Sequence, residues 1–178
     1  MPTYQDQEGQ ASQELLAKME LLQRIKTDAS PQTAGSSFQI VVVGCDHDLY
    51  GLRIATVREI VKVPRVTWLP CATAYIMGVI SVRGDIQAVV NLKNLLALGE
   101  THITAQSRII LVESGELLAG LLVDEMLDIL ELPEQALLPL TEASHPRQQD
   151  YLEGKIQWHE RMITLLHTEA ILQAVVVN

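Results

Sequence analysis

The chain has 178 residues, which is enough for one domain of ordinary size or for two very small ones. Its 13 Lys and Arg are outnumbered by 22 Asp and Glu, and the formal net charge of -9 argues against a nucleic-acid partner or an anionic membrane surface. No stretch approaches the ~20 apolar residues that span a bilayer, and the polar N terminus lacks a signal-peptide pattern. We therefore expect a cytoplasmic protein without membrane insertion, whose Cys45 and Cys71 are reduced core residues.

Residues 1–36 are predicted to be an N-terminal extension, with a helix at about residues 12–27 and a flexible linker after it. The helix is predicted from four apolar residues at helical spacing: Leu15, Met19, Leu22 and Ile25. A free helix of this length is marginal in water. Its apolar stripe is therefore expected to dock on a partner, on the rest of the chain, or on a second copy, which would be self-association through the helix.

From Phe38 onwards, short runs of Val, Ile and Leu alternate with turn residues, a pattern typical of β-strands. Strands are predicted at 38–45, 49–55, 60–63, 78–82 and 86–90. The last two strands are predicted to form a hairpin around Arg83-Gly84-Asp85, with Gly84 in a positive-φ conformation. Asn91 is predicted to cap a short helix over residues 92–98.

The body of the chain repeats itself. The aligned segments are 38–70 with 107–139 and 78–96 with 154–172. In this register Gly51-Leu52 matches Gly120-Leu121. A polar insertion within 141–153 makes the spacing between the two segments longer in the second repeat than in the first. Each repeat therefore contains the same set of about five short strands and a closing helix.

Five short strands with exposed edges are best stabilised when they close into a small barrel. We therefore predict a mainly β fold of two small five-stranded β-barrels packed together, with short closing helices, over residues 37–178. The first barrel is predicted at about 37–100 and the second at about 105–178. Whether the chain crosses between the barrels is left open.

The sequence lacks the common motifs of catalysis and nucleotide binding. It contains no GxxxxGK[ST] loop, no GxGxxG after a strand, no HExxH and no GxSxG. Asp46-His47-Asp48 is better explained as a hairpin tip than as a cation site, and Asp124-Glu125 as a solvated strand edge than as a shared-proton pair. We therefore expect an interaction module with no enzyme activity, no cofactor and no metal.

Several short motifs occur in a fixed order along the body. They are Val57-Arg58-Glu59-Ile60, Trp68-Leu69-Pro70, Gly78-Val79-Ile80-Ser81-Val82-Arg83-Gly84, Gly120-Leu121-Leu122-Val123-Asp124 and Tyr151-Leu152-Glu153-Gly154. In this combination they resemble the CheW family of bacterial chemosensory adaptors, over roughly Phe38 to Val175. The resemblance implies two five-stranded barrels, as the repeat does.

The resemblance also implies a non-catalytic adaptor that couples the cytoplasmic tips of methyl-accepting chemoreceptors to a CheA-type histidine kinase. It implies that the regulatory domain of the kinase, which has the same fold, docks barrel to barrel. The receptor tip, a helical hairpin, would lie in a groove near the junction of the two barrels. Carried over by position, five residues would line or support the receptor-facing region: Val57, Glu59, Gly78, Arg83 and Gly120.

The sequence departs from the family at the end of the hairpin, where Ala88 and Asn91 stand in place of the usual Pro and Asp. The N-terminal helix is also outside the common pattern. These differences bear on which partners are bound, more than on the fold. An adaptor for a dedicated pathway, such as pilus-driven motility, is one way to account for them.

Arg83 has a candidate partner in Glu59, and the equivalent positions of the second repeat hold His159 and Asp128. We therefore predict that each barrel brings an acid and a base together, and that Glu59 orients the Arg83 guanidinium toward a partner. Two other functions stay open at this point. One is a small-molecule-binding β-barrel sensor, and the other is a structural homodimer that associates through the N-terminal helix.

Overall fold

The computed structural model describes residues 36–70, 73–140 and 146–176, together with Ala17 and Glu20. The chain divides into two units, Met1–Ala34 and Gly35–Asn178. Ala17 and Glu20 are helical and exposed, whereas the rest of the helix predicted at about residues 12–27 lies outside the described residues. The fold is therefore that of the second unit.

The second unit is mainly β, and its two repeats supply matching sets of strands. The first repeat supplies β1 (Ser37–Cys45), β2 (Asp48–Arg53), β3 (Val57–Lys62), β4 (Ile76–Val82), β5 (Asp85–Asn91) and the helix α1 (Leu92–Leu95). The second repeat supplies β6 (Arg108–Ser114), β7 (Leu117–Val123), β8 (Glu125–Pro133), β9 (Leu137–Leu138), β10 (Leu152–Trp158), β11 (Arg161–Leu166) and the helix α2 (Thr168–Val176).

Each sheet takes strands from both repeats. The six-stranded sheet has the order β8-β1-β2-β11-β10-β9, and the five-stranded sheet has the order β3-β6-β7-β5-β4. The two sheets have corresponding strand pairings. The antiparallel pair β1–β8 in the six-stranded sheet corresponds to β6–β3 in the five-stranded sheet. The parallel pair β2–β11 likewise corresponds to β7–β5. The two repeats have therefore exchanged strands in a pseudo-twofold arrangement.

This exchange corrects the predicted division into one barrel at 37–100 and another at 105–178, which describes the repeats but not the sheets. The chain passes from the six-stranded to the five-stranded sheet through the 3-10 turn Ile54–Thr56. It returns through the single residue Asp124. Such short links send the next strand to the neighbouring sheet before it can pair within its own repeat.

Both sheets close on themselves, so the mainly β architecture with two packed barrels is confirmed. Beyond β3 the chain runs on to Thr67, which exchanges two backbone hydrogen bonds of 2.8 Å with Val79 of β4. Beyond β8 the 3-10 turn Glu134–Ala136 leads into β9, which pairs with β10. In each sheet one bent segment thus joins the two ends, which leaves fewer unpaired backbone groups at an edge.

Each closed sheet encloses an aliphatic core. In the six-stranded sheet the buried cluster is Phe38, Ile40, Val42, Leu49, Ile156, Ile163 and Leu165. In the five-stranded sheet it is Ile80, Val89, Ile109, Leu111 and Leu122. Alternate residues of β1 and β6 point to the opposite face and are buried too, which places a third aliphatic layer between the sheets. These are Val41, Val43, Ile110 and Val112.

Most helix and strand boundaries predicted from local sequence patterns lie within a few residues of the observed ones. The strand predicted at 49–55 ends at Arg53, because Ile54–Thr56 turns the chain toward the other sheet. The helix predicted over 92–98 spans only Leu92–Leu95. Its predicted cap is confirmed, since the Asn91 side-chain oxygen accepts a hydrogen bond from the backbone N–H of Asn94 at 3.3 Å.

Candidate protein-binding site

The turn between β4 and β5 presents Arg83 on a two-residue loop. Gly84 has φ of 94°, which confirms the predicted positive-φ glycine, and Arg83 has φ of 53°, which was not predicted. Positive φ at both central residues is the signature of a type I′ turn, whose twist matches that of the flanking strands. The turn holds the Arg83 side chain outward, where 76% of its surface is exposed.

Glu59 meets Arg83 across the closure of the five-stranded sheet. The Arg83 Nη2 atom donates a hydrogen bond to the Glu59 Oε1 atom at 3.0 Å. Glu59 lies on β3 and Arg83 follows β4, and these strands stand at opposite ends of the sheet order, so the pair depends on the closed sheet. The predicted contact is confirmed. Because only 21% of the Glu59 side chain is exposed, it can hold one edge of the more exposed guanidinium in place.

The other three predicted site residues are buried and can only support such a site. Val57 is 1% exposed, and Gly78 and Gly120 are buried. A Cβ atom on Gly78 would lie 2.2 Å from the Thr67 carbonyl oxygen, and one on Gly120 would lie 2.5 Å from Cγ2 of Ile109. Gly78 therefore permits closure of the sheet, and Gly120 permits close packing inside it.

The acid and base at the equivalent positions of the second repeat do not pair. His159 has φ of 52°, nearly that of Arg83, but its ring packs against Trp158 with 5.2 Å between centroids. Asp128 accepts a hydrogen bond from the backbone N–H of Ile129 at 2.8 Å. Within the described part of the chain, no hydrogen bond or ion pair joins His159 to Asp128. The predicted acid–base pair is thus specific to the first repeat.

An exposed apolar side chain accompanies Arg83 on the same hairpin. Ile86 lies opposite Ser81 in the β4–β5 ladder and is 73% exposed. At the equivalent position of the second repeat, Met162 lies opposite Gln157 and is 38% exposed. A charged fork beside an apolar side chain is a combination that protein interfaces favour.

An ion cluster around a buried lysine lies elsewhere in the molecule, and the sequence-based interpretation missed it. The Lys93 side chain of α1 is 5% exposed, and its Nζ atom lies 2.7 Å from Oδ1 of Asp46 and 3.1 Å from Oδ2 of Asp124. Asp124 is thus an ion-pair partner of a buried lysine and not simply part of a solvated edge. The available signal was the position of Lys93 between Leu92 and Leu95, both buried residues of α1.

Among the described residues, no group of three or more His, Cys, Asp or Glu is arranged to hold a metal ion. Asp46 belongs to the turn that was considered as a possible cation site, and its carboxylate forms an ion pair with the Lys93 ammonium group. The helices described here include none with the length and apolar character needed to cross a membrane. These findings leave the surface around Arg83 as the strongest candidate for a functional site.

Residues 39–176 match the family model described as CheW-like domain. The chain belongs to this CheW-like family. It is 32% identical over 120 residues to a probable chemotaxis protein CheW of Rhizobium etli, covering 67% of this chain and 77% of that protein. It is 28% identical over 143 residues to the chemotaxis protein CheW of Klebsiella aerogenes, covering 80% of this chain and 85% of that protein.

A solved structure has a similar CheW fold. The crystal structure of the scaffolding protein TtCheW from Thermoanaerobacter tengcongensis aligns with a TM-score of 0.68 and 31% sequence identity. The alignment covers 74% of this chain and 89% of the other. The CheW-like fold and the chemotaxis names of its relatives together identify this chain as a chemosensory adaptor.

Proposed function

We propose that the chain couples the cytoplasmic tips of methyl-accepting chemoreceptors to a CheA-type histidine kinase, without catalysing a reaction itself. The kinase binds through a regulatory domain of the same fold, and the receptor tip binds near the first-repeat hairpin. The observation that carries this proposal is the exposed Arg83 guanidinium held by Glu59. Its planar fork is suited to meet backbone carbonyls or carboxylates on a partner helix.

The supporting residues have distinct roles in this proposal. Glu59 orients the guanidinium, and Val57 anchors β3 from the buried side. Gly78 and Gly120 keep the sheet closed and tightly packed, which fixes the distance between β3 and the β4–β5 turn. Substitutions at the two glycines should therefore weaken partner binding indirectly, through the shape of the sheet.

The test is binding of a receptor cytoplasmic fragment and a kinase fragment to wild type and to Arg83→Glu. We expect Arg83→Glu to weaken assembly by about thirtyfold or more, because losing one partner of a buried interfacial charge pair costs roughly 2–5 kcal/mol. The matched control is His159→Glu, which places the same charge on the equivalent turn with nearly the same φ. Assembly by Arg83→Glu at wild-type affinity would contradict the proposed role of this site.

The alternative of a small-molecule-binding barrel finds no support in the described residues. The interior of the six-stranded sheet is filled by Ile40, Ile156 and Ile163, each with no exposed surface. The interior of the five-stranded sheet holds Val89 and Ile109, which are equally buried. A ligand site would need a concave space of a few hundred Å³ with converging polar groups, so we retain the adaptor.

A further inference from the structure

The cluster of Lys93, Asp46 and Asp124 joins segments that belong to different sheets. Lys93 is in α1, which follows the five-stranded sheet, and Asp46 is in the turn between β1 and β2 of the six-stranded sheet. Asp124 is the single residue by which the chain passes from one sheet to the other. One buried ammonium group thus contacts both sheets and the link between them.

Two further hydrogen bonds connect Asp124 to the end of β1 and the turn after it. The N–H of Asp46 donates to Oδ2 of Asp124 at 2.8 Å, and the N–H of Asp124 donates to the carbonyl oxygen of Gly44 at 3.1 Å. Burial by itself would lower the pKa of Lys93, but its hydrogen bonds to the two carboxylates outweigh this effect, and the pKa is raised. The ammonium group therefore stays charged, and each contact of the cluster depends on the others.

The opposite seam of the molecule lacks this cluster. The positions equivalent to Lys93, Asp46 and Asp124 hold Glu169, Gly115 and Ala55, which offer no cation and no second carboxylate. There, the Thr56 hydroxyl donates to the Thr168 hydroxyl oxygen at 3.2 Å, a neutral contact. The aliphatic layer packs the two sheets together, and the polar contacts beside it differ, with ions at one seam and neutral hydrogen bonds at the other.

We propose that Lys93 is a positioning residue that fixes the two sheets against each other at the Asp124 seam. Each sheet has its own core and closes by itself, and the aliphatic layer still packs the sheets together, so loss of Lys93 loosens only the Asp124 seam while both sheets stay folded. The orientation of the surface around Arg83 relative to the six-stranded sheet then varies. This last consequence, which rests on the proposed adaptor function, predicts that each partner still binds alone but that both together assemble poorly.

The experiment compares wild type with Lys93→Met and with Lys93→Met combined with Asp46→Asn and Asp124→Asn. The triple variant avoids two carboxylates left without their cation, and the side-chain amide oxygen introduced by Asp124→Asn would still accept the hydrogen bond from the backbone N–H of residue 46. Amide hydrogen exchange in the full chain should accelerate about tenfold or more at residues 46 and 124. Exchange at the central amides of β6 and β7 should stay as in wild type.

The thiol of Cys45 gives a second measure of seam opening, because it is buried next to Asp46 at the end of β1. In a Cys71→Ser background, its reaction with a small disulfide reagent should be about tenfold faster in the triple variant. The matched control is Thr56→Val with Thr168→Val, which weakens only the opposite seam. That control should leave the reactivity of Cys45 unchanged.

The outcomes separate the two proposals. Unchanged exchange at residues 46 and 124 and unchanged Cys45 reactivity in the triple variant would overturn the role of Lys93, and so would global unfolding of that variant. If the wild type fails to join a receptor fragment to a kinase fragment, the adaptor proposal fails while exchange still tests Lys93. If the seam opens but joint assembly is within twofold of wild type, the seam does not position the binding surfaces.

Discussion

The turn after β4 and the turn after β10 begin with the same backbone conformation but present different chemistry. Arg83 and His159 have φ of 53° and 52°, and both follow the same position in the repeat. Arg83 extends from the surface to Glu59, whereas His159 packs on Trp158. The two repeats thus share the positive φ of the first turn residue, whereas the side chain at that position and the turn residue after it differ.

The same divergence extends along the strands that lead to these turns. β3 and the residues after it expose Arg58, Lys62 and Arg65, in a chain whose net charge is -9. The equivalent residues on and after β8 are Leu127, Glu131 and Glu134. The two closed sheets therefore present surfaces of opposite character, which would favour different partners.

The largest expected effect breaks closure of the five-stranded sheet. In Gly78→Ala, the new Cβ would meet the Thr67 carbonyl oxygen at 2.2 Å, and φ of 154° is unfavourable for alanine. Overpacking and strain together should cost roughly 2–6 kcal/mol of unfolding free energy. Urea unfolding monitored by circular dichroism measures this loss.

The equivalent change in the six-stranded sheet sharpens the comparison. In Gly154→Ala the closest atoms are Cδ1 of Leu137 at 2.6 Å and the Leu138 carbonyl oxygen at 2.7 Å. Part of this crowding can be relieved by the leucine side chain, so we expect a smaller loss of roughly 1–3 kcal/mol. A greater loss for Gly154→Ala than for Gly78→Ala would show that the six-stranded sheet is the less tolerant of the two.

The next effect concerns the turn. Gly84→Val places a β-branched residue at φ of 94°, in open space, so strain is the only cost and should be roughly 1–3 kcal/mol. Glu160 is at the equivalent position of the second repeat and has no positive φ. Glu160→Val should therefore leave the unfolding midpoint nearly unchanged, and similar losses for the two variants would contradict a type I′ turn confined to the first hairpin.

A comparable effect, absent at neutral pH, is expected at alkaline pH from Cys45 at the end of β1, where the second repeat has Ser114. Burial raises the pKa of the Cys45 thiol from 9.0 to about 12. The folded state keeps its proton more firmly than the unfolded state, so this contribution is complete below pH 9 and is lost as the pH rises toward 12. The loss should approach about 1.4 kcal/mol per pH unit.

Urea unfolding of wild type and Cys45→Ala between pH 8 and pH 11 isolates the contribution of the Cys45 thiol to the free energy of unfolding. Burial also raises the pKa of Tyr50, and because that residue is present in both proteins, the contribution of its burial is common to both. The stability advantage of wild type over Cys45→Ala should shrink above pH 9. A difference that is constant across the range would mean that the Cys45 thiol reaches solvent in the folded state.

The sequence predicted the barrels but not how the chain threads them. Paired Gly-Leu and Leu-Pro residues revealed the repeat, and short apolar strands required closed sheets. However, β1 has the same apolar pattern as β6, so pairing of β3 within its own repeat and pairing with the other repeat look alike in sequence. Only the short links at Ile54–Thr56 and Asp124 decide between them.

Of the polar contacts described here, the pair of Glu59 and Arg83 was predicted from the sequence and the Lys93 cluster was not. The two repeats carry an acid and a base at corresponding positions, so the contact between Glu59 and Arg83 could be inferred. Lys93 was missed, because a lysine is rarely buried unless acids from distant segments pair with it. Its partners, Asp46 and Asp124, are in other turns, and no local pattern connects them to α1.

The smallest expected effect on stability is at the Arg83–Glu59 pair itself. Arg83→Glu removes a hydrogen bond of 3.0 Å from a side chain that is 76% exposed, and exposed pairs contribute only about 0–1 kcal/mol. The unfolding free energy should therefore stay within about 1 kcal/mol of wild type. The control His159→Glu should change it by no more.

Reversing both charges separates the contact from its use. In Glu59→Arg with Arg83→Glu, the pair can form again across the closed sheet, so the unfolding free energy should return toward the wild-type value. The guanidinium would then project from β3 instead of from the turn, at a different place on the surface, and partner binding should stay weak. Recovery of binding by the double variant would mean that the partner recognises an ion pair at this place, whichever strand carries the guanidinium. If neither the unfolding free energy nor partner binding recovers, the two side chains do not stabilise each other.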